Sequence, residues 1–473
     1  MPRNLQLLLL LAQIILVHPS SFAQEHKGPN GTKPSLFHTT VPDQPYNIIL
    51  SRPTNHSIVV SVFSMRDFDG YLQYKKQNSG VYSKTKAIRF TSGHTENIQL
   101  NDLEKNCSYQ YQLITTAKEK ENILSSSVRT FHTARANNSV FRFAIQADSH
   151  LDENCDTLYY RTTSENILTE SPDFLIDLGD TWMTDKYRED YKQSLQQYKA
   201  QRYFFGTLCH SVPLMLTLGN HDGEPGKPAK KTGDENMTQW ATETRRFYYS
   251  NPYPDGFYEG NREKDATGNY LQNYYSWEWG NALFVVLDPF RYTLNNKNPW
   301  SRTLGKEQYQ WLKQTLQNSK ADFKFIFIHN LVGGQDNKGI ARGGAEASLF
   351  FEWGGKNADS TEGFGQQRSG WEMPIHELLK QNKVTAVFHG HDHFYAKQER
   401  DGIIYQLLPQ PGYTRYSYPN QAAEYGYVNG TIMNAPGFIE VEVKEKECTV
   451  QYLQTHTGNQ NKKLLDSYSI KKP

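Results

Sequence analysis

The sequence predicts two folded parts: an all-β sandwich over residues 45–136 and a larger α/β layered domain with buried sheets over residues 139–458. Three observations carry this. Residues 45–134 read as short alternating strands separated by polar turns. Beyond Asn138 the style changes to apolar strands alternating with helical stretches. Short motifs of Asp, Asn and His directly follow several of those apolar strands, the place where open α/β sheets build sites.

At the N-terminus, Arg3 precedes an apolar stretch from Leu7 to Ala12 that resumes at Ile14 and runs to Val17. Ser21-Phe22-Ala23 then offers the small residues a signal peptidase reads, so residues 1–23 are expected to be a signal peptide cleaved before Gln24. A retained N-terminal anchor is the alternative. No later stretch is long enough for a transmembrane helix, so the mature protein is expected to be secreted or periplasmic. Residues 24–44, with Gly28, Pro29, Gly31, Pro34 and Pro42, read as a linker or extended lead-in. The 473 residues carry a formal net charge of +1, which leaves no bulk field to draw nucleic acid or anionic membrane. Any attraction for phosphate is therefore local. The four cysteines, Cys107, Cys155, Cys209 and Cys448, lack metal-site or redox spacing; an oxidising compartment would permit a disulfide, with Cys155 and Cys209 the expected pair. Asn-x-Ser/Thr triplets at Asn30, Asn55, Asn106, Asn137, Asn236 and Asn429 matter only if the host glycosylates secreted proteins.

In the first part the expected strands are Asn47–Leu50, Ser57–Phe63, Tyr71–Lys75, Glu96–Leu100, Tyr109–Thr115 and Val128–Thr133. The stretch Leu103-Glu-Lys-Asn-Cys-Ser-Tyr109 resembles the corner of fibronectin type III domains, which implies a tyrosine hydroxyl tied back to upstream backbone. The tryptophan usual in that family is missing. In the second part the expected strands are Phe141–Gln146, Phe174–Leu178, Pro213–Leu218, Leu283–Leu287, Phe323–Ile328, Val384–Phe388 and Ile403–Leu408. Expected helices include Tyr187–Phe204, Lys306–Ser319 and Met373–Gln381. Gly223–Asn273 and Leu331–Trp371 are long, Gly-rich and mostly aperiodic, as functional loops often are. Residues 459–473 read as a C-terminal tail.

Five motifs follow strands in order: Asp148-Ser-His150, Gly179-Asp180, Gly219-Asn220-His221-Asp222, His329, and Gly390-His391-Asp392-His393. Singly they are weak, since a Gly-Asp after a strand is commonly a turn. His-x-His is stronger, because alternation on an extended end puts both imidazoles on one side. Together they resemble the calcineurin-like metallophosphoesterase superfamily over roughly Phe141 to Leu453. That resemblance implies a double-sheet sandwich flanked by helices and a dinuclear metal site. One divalent ion would take Asp148, His150 and His393, the other Asn220, His329 and His391, with Asp180 bridging. Hard carboxylates, an amide oxygen and imidazoles suit Mn²⁺, Zn²⁺, Fe²⁺ or Mg²⁺. The implied reaction is phosphate-ester hydrolysis by a metal-bridging hydroxide, with His221 facing the leaving group and Asp222 orienting or charging it.

The sandwich-plus-phosphatase order narrows the resemblance to purple acid phosphatases and their bacterial relatives, as does Tyr274-Tyr-Ser-Trp-Glu-Trp-Gly-Asn-Ala-Leu-Phe-Val-Val-Leu-Asp288. Two departures stand out. Purple enzymes place a metal-binding tyrosine where this chain has Met183, and they lack the histidine it has at His150. The resemblance then implies a colourless centre of two divalent ions and a neutral-to-alkaline optimum. For the small phosphate-ester substrate, Arg342 or Arg415 could hold a phosphate oxygen, and Trp353 or Tyr413 could stack on an aromatic leaving group. A phosphomonoesterase leads, with a phosphodiesterase or nucleotidase on the same centre as the alternative. A catalytically dead cell-surface binding protein would show a lost ligand position, and none is lost.

Overall fold

The computed structural model describes residues 24–25, 36–116, 123–225, 236–293, 298–334, 341–414 and 421–472. Residues 1–23, expected from the sequence to be a signal peptide, and Arg415 lie outside that set. Two large sheets form the middle of the larger part. One has nine strands, and its order from one edge is Leu464–Lys471, Glu447–Gln454, Gly437–Val443, Phe141–Gln146, Leu175–Asp177, Leu214–Leu216, then Tyr46–Ser51, Ile58–Ser64 and Thr95–Leu100. The other has eight strands, with Tyr275–Trp279, Ala282–Val286, Phe323–Ile328, Ala386–His389 and Ile403–Leu407 in sequence through its middle.

Strand alternation explains how the layers stack. Phe143 and Ile145 point one way and meet Phe284, Phe325, Phe327 and Phe388 from the facing sheet. Their neighbour Ala144 points the other way, toward Ile167 of helix Thr157–Glu170 and Tyr198 and Phe205 of helix Leu195–Gly206. In the second sheet Leu283, Val285, Ile326 and Ile328 turn outward onto Leu312, Leu316, Leu378 and Leu379 of helices Lys306–Asn318 and Ile375–Gln381. A period of two on strands buried on both faces thus yields helix, sheet, sheet and helix. The parallel strands of both sheets end on the side where the polar motifs begin.

The all-β part is a sandwich. Its strands Tyr46–Ser51, Ile58–Ser64 and Thr95–Leu100 face a second sheet built on Phe68–Lys76 and Ser108–Thr116, with Leu50, Val60, Val62, Leu72, Tyr111 and Leu113 between them. The Tyr109 hydroxyl accepts the Glu104 N–H at 2.8 Å, the corner expected from its sequence. Strands Ser83–Lys84, Ile88–Phe90 and Ile123–Ser125 add to that second sheet.

Several sequence expectations change. The two parts share a sheet, since Leu214 pairs in parallel with Ser51 and joins the sandwich to the nine-stranded sheet. Residues 36–38 are docked rather than free: Phe37 packs on Met183 and Tyr187, and His38 N–H donates to Leu151 O at 2.8 Å. The tail is a strand, Leu464–Lys471, paired antiparallel with Glu447–Gln454. The helix expected at Tyr187–Phe204 begins as a 3₁₀ stretch, Thr184–Ser194, kinked where Arg188 takes φ 55°, and becomes α only at Leu195. Helix Met237–Tyr248 interrupts the stretch expected to be aperiodic. All four cysteines are free thiols, and burial raises the pKa of Cys155 and Cys209 far above the ordinary range. Among the described residues no helix is long and apolar enough to cross a membrane.

One buried arginine fixes the sandwich to the larger part. Arg202, on helix Leu195–Gly206, donates to Asn47 Oδ1 (2.7 Å), Ser61 Oγ (3.0 Å), Ser61 O (2.9 Å) and Tyr248 O (2.5 Å). Replacing it with Met leaves buried acceptors unpaired. Arg202→Met is expected to lower unfolding free energy by about 2–4 kcal/mol in denaturant titration. An unchanged midpoint would show that the clip contributes nothing.

Candidate metal centre

The five motifs meet because their glycines let backbones touch. A Cβ on Gly179 would lie 2.4 Å from Gly219 N, one on Gly219 would lie 2.0 Å from Asp180 N, and one on Gly390 would lie 2.6 Å from Asp148 Oδ2. Each glycine therefore admits a neighbouring motif at a distance no side chain permits. The site residues themselves sit in the left-handed region: Asp148 (φ 58°), His150 (53°), Asp180 (53°), His391 (75°) and His393 (69°). That conformation costs roughly 1 kcal/mol or more per residue. Backbone bonds hold it, with Asp148 N–H donating to Gly179 O (3.0 Å), His150 N–H to Asp180 O (3.1 Å) and His391 N–H to Asp148 Oδ2 (2.9 Å).

All seven residues expected to bind metal converge. Asp148, His150, Asp180 and His393 form one group and Asp180, His329 and His391 another; within each group the ligand atoms lie within 4.8 Å of one another. Asp180 belongs to both, and Asn220 Oδ1 joins the second at 3.1 Å from His329 Nε2. His329 Nδ1 lies 2.8 Å from the carbonyl oxygen of Leu178 and donates to it, which turns Nε2 toward the centre. That Nε2 faces Asn220 Oδ1, His391 Nδ1 (3.2 Å) and Asp180 Oδ2 (3.4 Å). In the first group Asp148 Oδ1 and His150 Nε2 are buried without a hydrogen-bond partner. Converging lone pairs and orphaned buried acceptors fit cations, and the donor set fits hard or borderline divalent ones.

Outer residues orient these ligands. His150 Nδ1 lies 3.3 Å from Asp152 Oδ2, which also accepts from Lys186 Nζ at 2.8 Å. Although burial opposes it, His150 and Lys186 hold the Asp152 carboxyl well below the usual carboxylate range. This carboxylate–imidazole pair aims Nε2 into the centre. His221 stands at the rim: its N–H donates to Asp180 Oδ1 (2.8 Å), and its Nε2 lies 3.9 Å from Asp180 Oδ2.

The residue that orients the His221 ring is Asp185, whose Oδ1 lies 2.8 Å from His221 Nδ1, and not Asp222 as the sequence suggests. Asp222 is buried and accepts four backbone N–H groups: Gly219 (2.7 Å), Asp180 (3.2 Å), Thr181 (2.9 Å) and Trp182 (2.8 Å). It is the clamp between the Gly-Asp and Gly-Asn-His turns.

The substrate candidates divide. Arg342 lines a cavity of about 290 Å³ beside Asn220, His221 and His391. Tyr413 lines a second, of about 210 Å³, beside His150, His221 and His393. Trp353 is in neither: short helix Phe351–Gly354 drives it into the core, where its Nε1 donates to Tyr405 OH at 3.0 Å. Two residues unseen in the sequence, Phe290 and Lys186, line the first and second cavities respectively.

The family model of calcineurin-like phosphoesterases matches residues 141–395, over half of the chain, and spans every motif above. The chain belongs to that family. Purple acid phosphatase 23 of Arabidopsis thaliana is 24% identical over 380 residues, 75% of this chain and 69% of that protein. Among solved structures, a purple acid phosphatase isolated from yellow lupin (Lupinus luteus) seeds matches with TM-score 0.60 and 15% identity, covering 90% of this chain and 74% of its own. PhoD matches with TM-score 0.63 and 16% identity, covering 91% and 92%. At these identities the structures bear on the fold alone. The protein is a metal-dependent phosphoesterase.

Asp222→Ala removes the acceptor of four N–H groups without touching a ligand. Metal analysis of the purified variant is expected to find fewer than two ions per chain where the wild type holds two, with a stability loss of about 2–4 kcal/mol. Full occupancy in a fully stable variant would refute the clamp.

Proposed function

We propose that this calcineurin-like phosphoesterase hydrolyses phosphate monoesters outside the cytoplasm with two divalent ions. One would be held by Asp148, His150 and His393, the other by Asn220, His329 and His391, with Asp180 shared between them. The observation that supports this reading is the convergence of Asp180 Oδ2, His329 Nε2 and Asn220 Oδ1 on one point, a donor set suited to a divalent cation. When bound, two such ions supply Lewis-acid stabilisation of a transferring phosphoryl group and a water nucleophile active near neutral pH. The chain's own part is in the proton and the geometry. His221 protonates the departing oxygen from Nε2, while Asp185 keeps the proton on Nδ1 and the ring turned inward. The export reading rests on the apolar residues 7–17 and the small-residue pattern ending at Ala23. A diesterase or nucleotidase reading of the same centre is favoured by the second cavity, on the His150 side, which would accept a second ester substituent.

Position 183 bears on the metals. Methionine there offers no phenolate, and its side chain is buried against Phe37 and Tyr187. With neutral His150 in the set instead, two divalent ions are expected, and bound water less acidic than at a centre containing Fe³⁺. The optimum is then neutral to alkaline. A rate maximum at about pH 5 in purified protein would overturn that.

Metal-stripped protein reconstituted with Mn²⁺, Zn²⁺, Fe²⁺ or Mg²⁺ is expected to hydrolyse p-nitrophenyl phosphate faster than bis-p-nitrophenyl phosphate. Asp180→Asn should lower the rate by about 10³-fold or more. A faster diester rate would select the diesterase reading. No turnover of either ester despite two bound ions would favour a binding protein. Asp185→Asn is expected to lower kcat by about 10–100-fold with both ions retained. An unchanged kcat would remove Asp185 from the mechanism.

A further inference from the structure

We infer that the cavity on the His391 side seats the organic substituent of the ester and selects a flat, apolar one, with Phe290 as its specificity-determining residue and Arg342 as the cation that holds the anion beside it. This rests on the phosphoesterase reading and names the substrate class for that site.

The cavity is lined by Asn220 and His391, so a group filling it lies beside a phosphoryl group held at those residues. Its wall is unlike that of the Tyr413 cavity. Beside Phe290 stand Pro289, Val332 and Ala341, whereas the other cavity presents Asn154, Gln410, Gln421 and Asn434. Thr293, Arg302 and Asn330 complete the lining of the first cavity, so its flat apolar face is the patch made by Pro289, Phe290, Val332 and Ala341. An aromatic ring laid on that patch gains stacking area, whereas a polyhydroxylated substituent finds more amide partners on the Tyr413 side.

Both ends of that wall are rigid before anything binds. Phe290 follows a turn closed by buried Asp288, whose Oδ1 accepts the N–H groups of Phe290 (2.8 Å) and Arg291 (3.2 Å). Asn273 Nδ2 holds the other carboxylate oxygen at 2.6 Å. The Phe290 ring lies 5.9 Å, centroid to centroid, from the imidazole of His329, yet stays half-exposed toward the cavity. Arg342 is fixed with equal care. Its Nη1 donates to Asp392 Oδ1 at 2.8 Å, and its guanidinium lies 3.9 Å over the Tyr425 ring. Asp392 is buried between His391 and His393 and also accepts from Gly343 N–H (3.0 Å) and Tyr427 OH (2.7 Å). The position of the guanidinium is thus tied to the metal-binding turn itself. A preorganised aromatic face beside a preorganised planar cation is a seat for a ring attached to an anion. At about 290 Å³ the space lies at the small end of ligand pockets, room for one or two fused rings.

The test is calorimetric binding of phenylphosphonate and methylphosphonate to the Mn²⁺-reconstituted full-length protein. Neither probe has a leaving group, so leaving-group reactivity cannot mimic selectivity. Phenylphosphonate is expected to bind about tenfold more tightly. Phe290→Ala should bring the ratio close to one, and Phe290→Leu, which keeps the bulk without the flat face, should bring it to about three. Arg342→Lys should weaken both probes alike, by about 5–10-fold. Metal content is checked at two ions per chain in every variant. Equal affinities in the wild type, or Phe290 variants that weaken both probes equally, would overturn the inference. Ring selectivity that depends on Phe290 in a protein hydrolysing no ester would uphold the pocket and sink the function proposed above. Turnover without ring selectivity would do the reverse.

Discussion

Gly179 and Gly219 lie back to back, close enough that a methyl group on either would collide with the main chain of the other motif. That contact sets the rest of the site. It brings the turn after strand Leu175–Asp177 onto the turn after strand Leu214–Leu216, so that Asp180 lies beneath both Asn220 and His221. Neither backbone could approach so closely with its N–H groups unpaired, and Asp222 resolves this by accepting four of them on one carboxylate. Gly390 extends the same logic across to the other sheet, where its lack of a side chain leaves room for Asp148 Oδ2.

The two departures from the purple acid phosphatase pattern are structurally coupled. His150 adds an imidazole that must be aimed, and the Asp152–Lys186 pair does the aiming. Met183 takes the place of a polar ligand with an apolar side chain that must be covered, and Phe37 covers it while stacking on Tyr187 at 4.5 Å. The same N-terminal strap bridges to Asp152 and bonds to Leu151. One docked segment thus supports the methionine and the loop that carries the extra histidine.

Much of this was legible in the sequence, for physical reasons. Strands such as Phe323–Ile328 are buried on both faces and read as near-continuous apolar runs, interrupted here by Lys324 alone, so the polar residue that ends each one stands out. Helix Thr157–Glu170 went unread because its buried face includes Thr163, Ser164 and Asn166, which are satisfied by tertiary bonds such as Thr163 Oγ1 to Pro411 O. No periodicity reports such a face. Trp353 misled in the opposite sense: a Gly-rich surround suggested a loop near the site, but the indole needed a core and a hydroxyl partner and found both. Asp185 carried no signal, since its partner His221 is distant in sequence and the pairing depends on the kink at Arg188.

That kink belongs with the left-handed residues in one energetic argument. Adjacent residues Asp185 and Lys186 point to different targets, His221 and Asp152, as neighbours on a helical turn do. The helix then breaks at Arg188, and Arg188, like Asp148, His150, Asp180, His391 and His393, takes a left-handed conformation that side chains resist. Strain of this kind persists only where the surroundings over-determine it. Here the surroundings are the two packed sheets and a buried cluster of carboxylates and imidazoles. A metal bound by that cluster would be held by the same loops that store the backbone strain, so occupancy of the centre and the local stability of its loops are linked quantities.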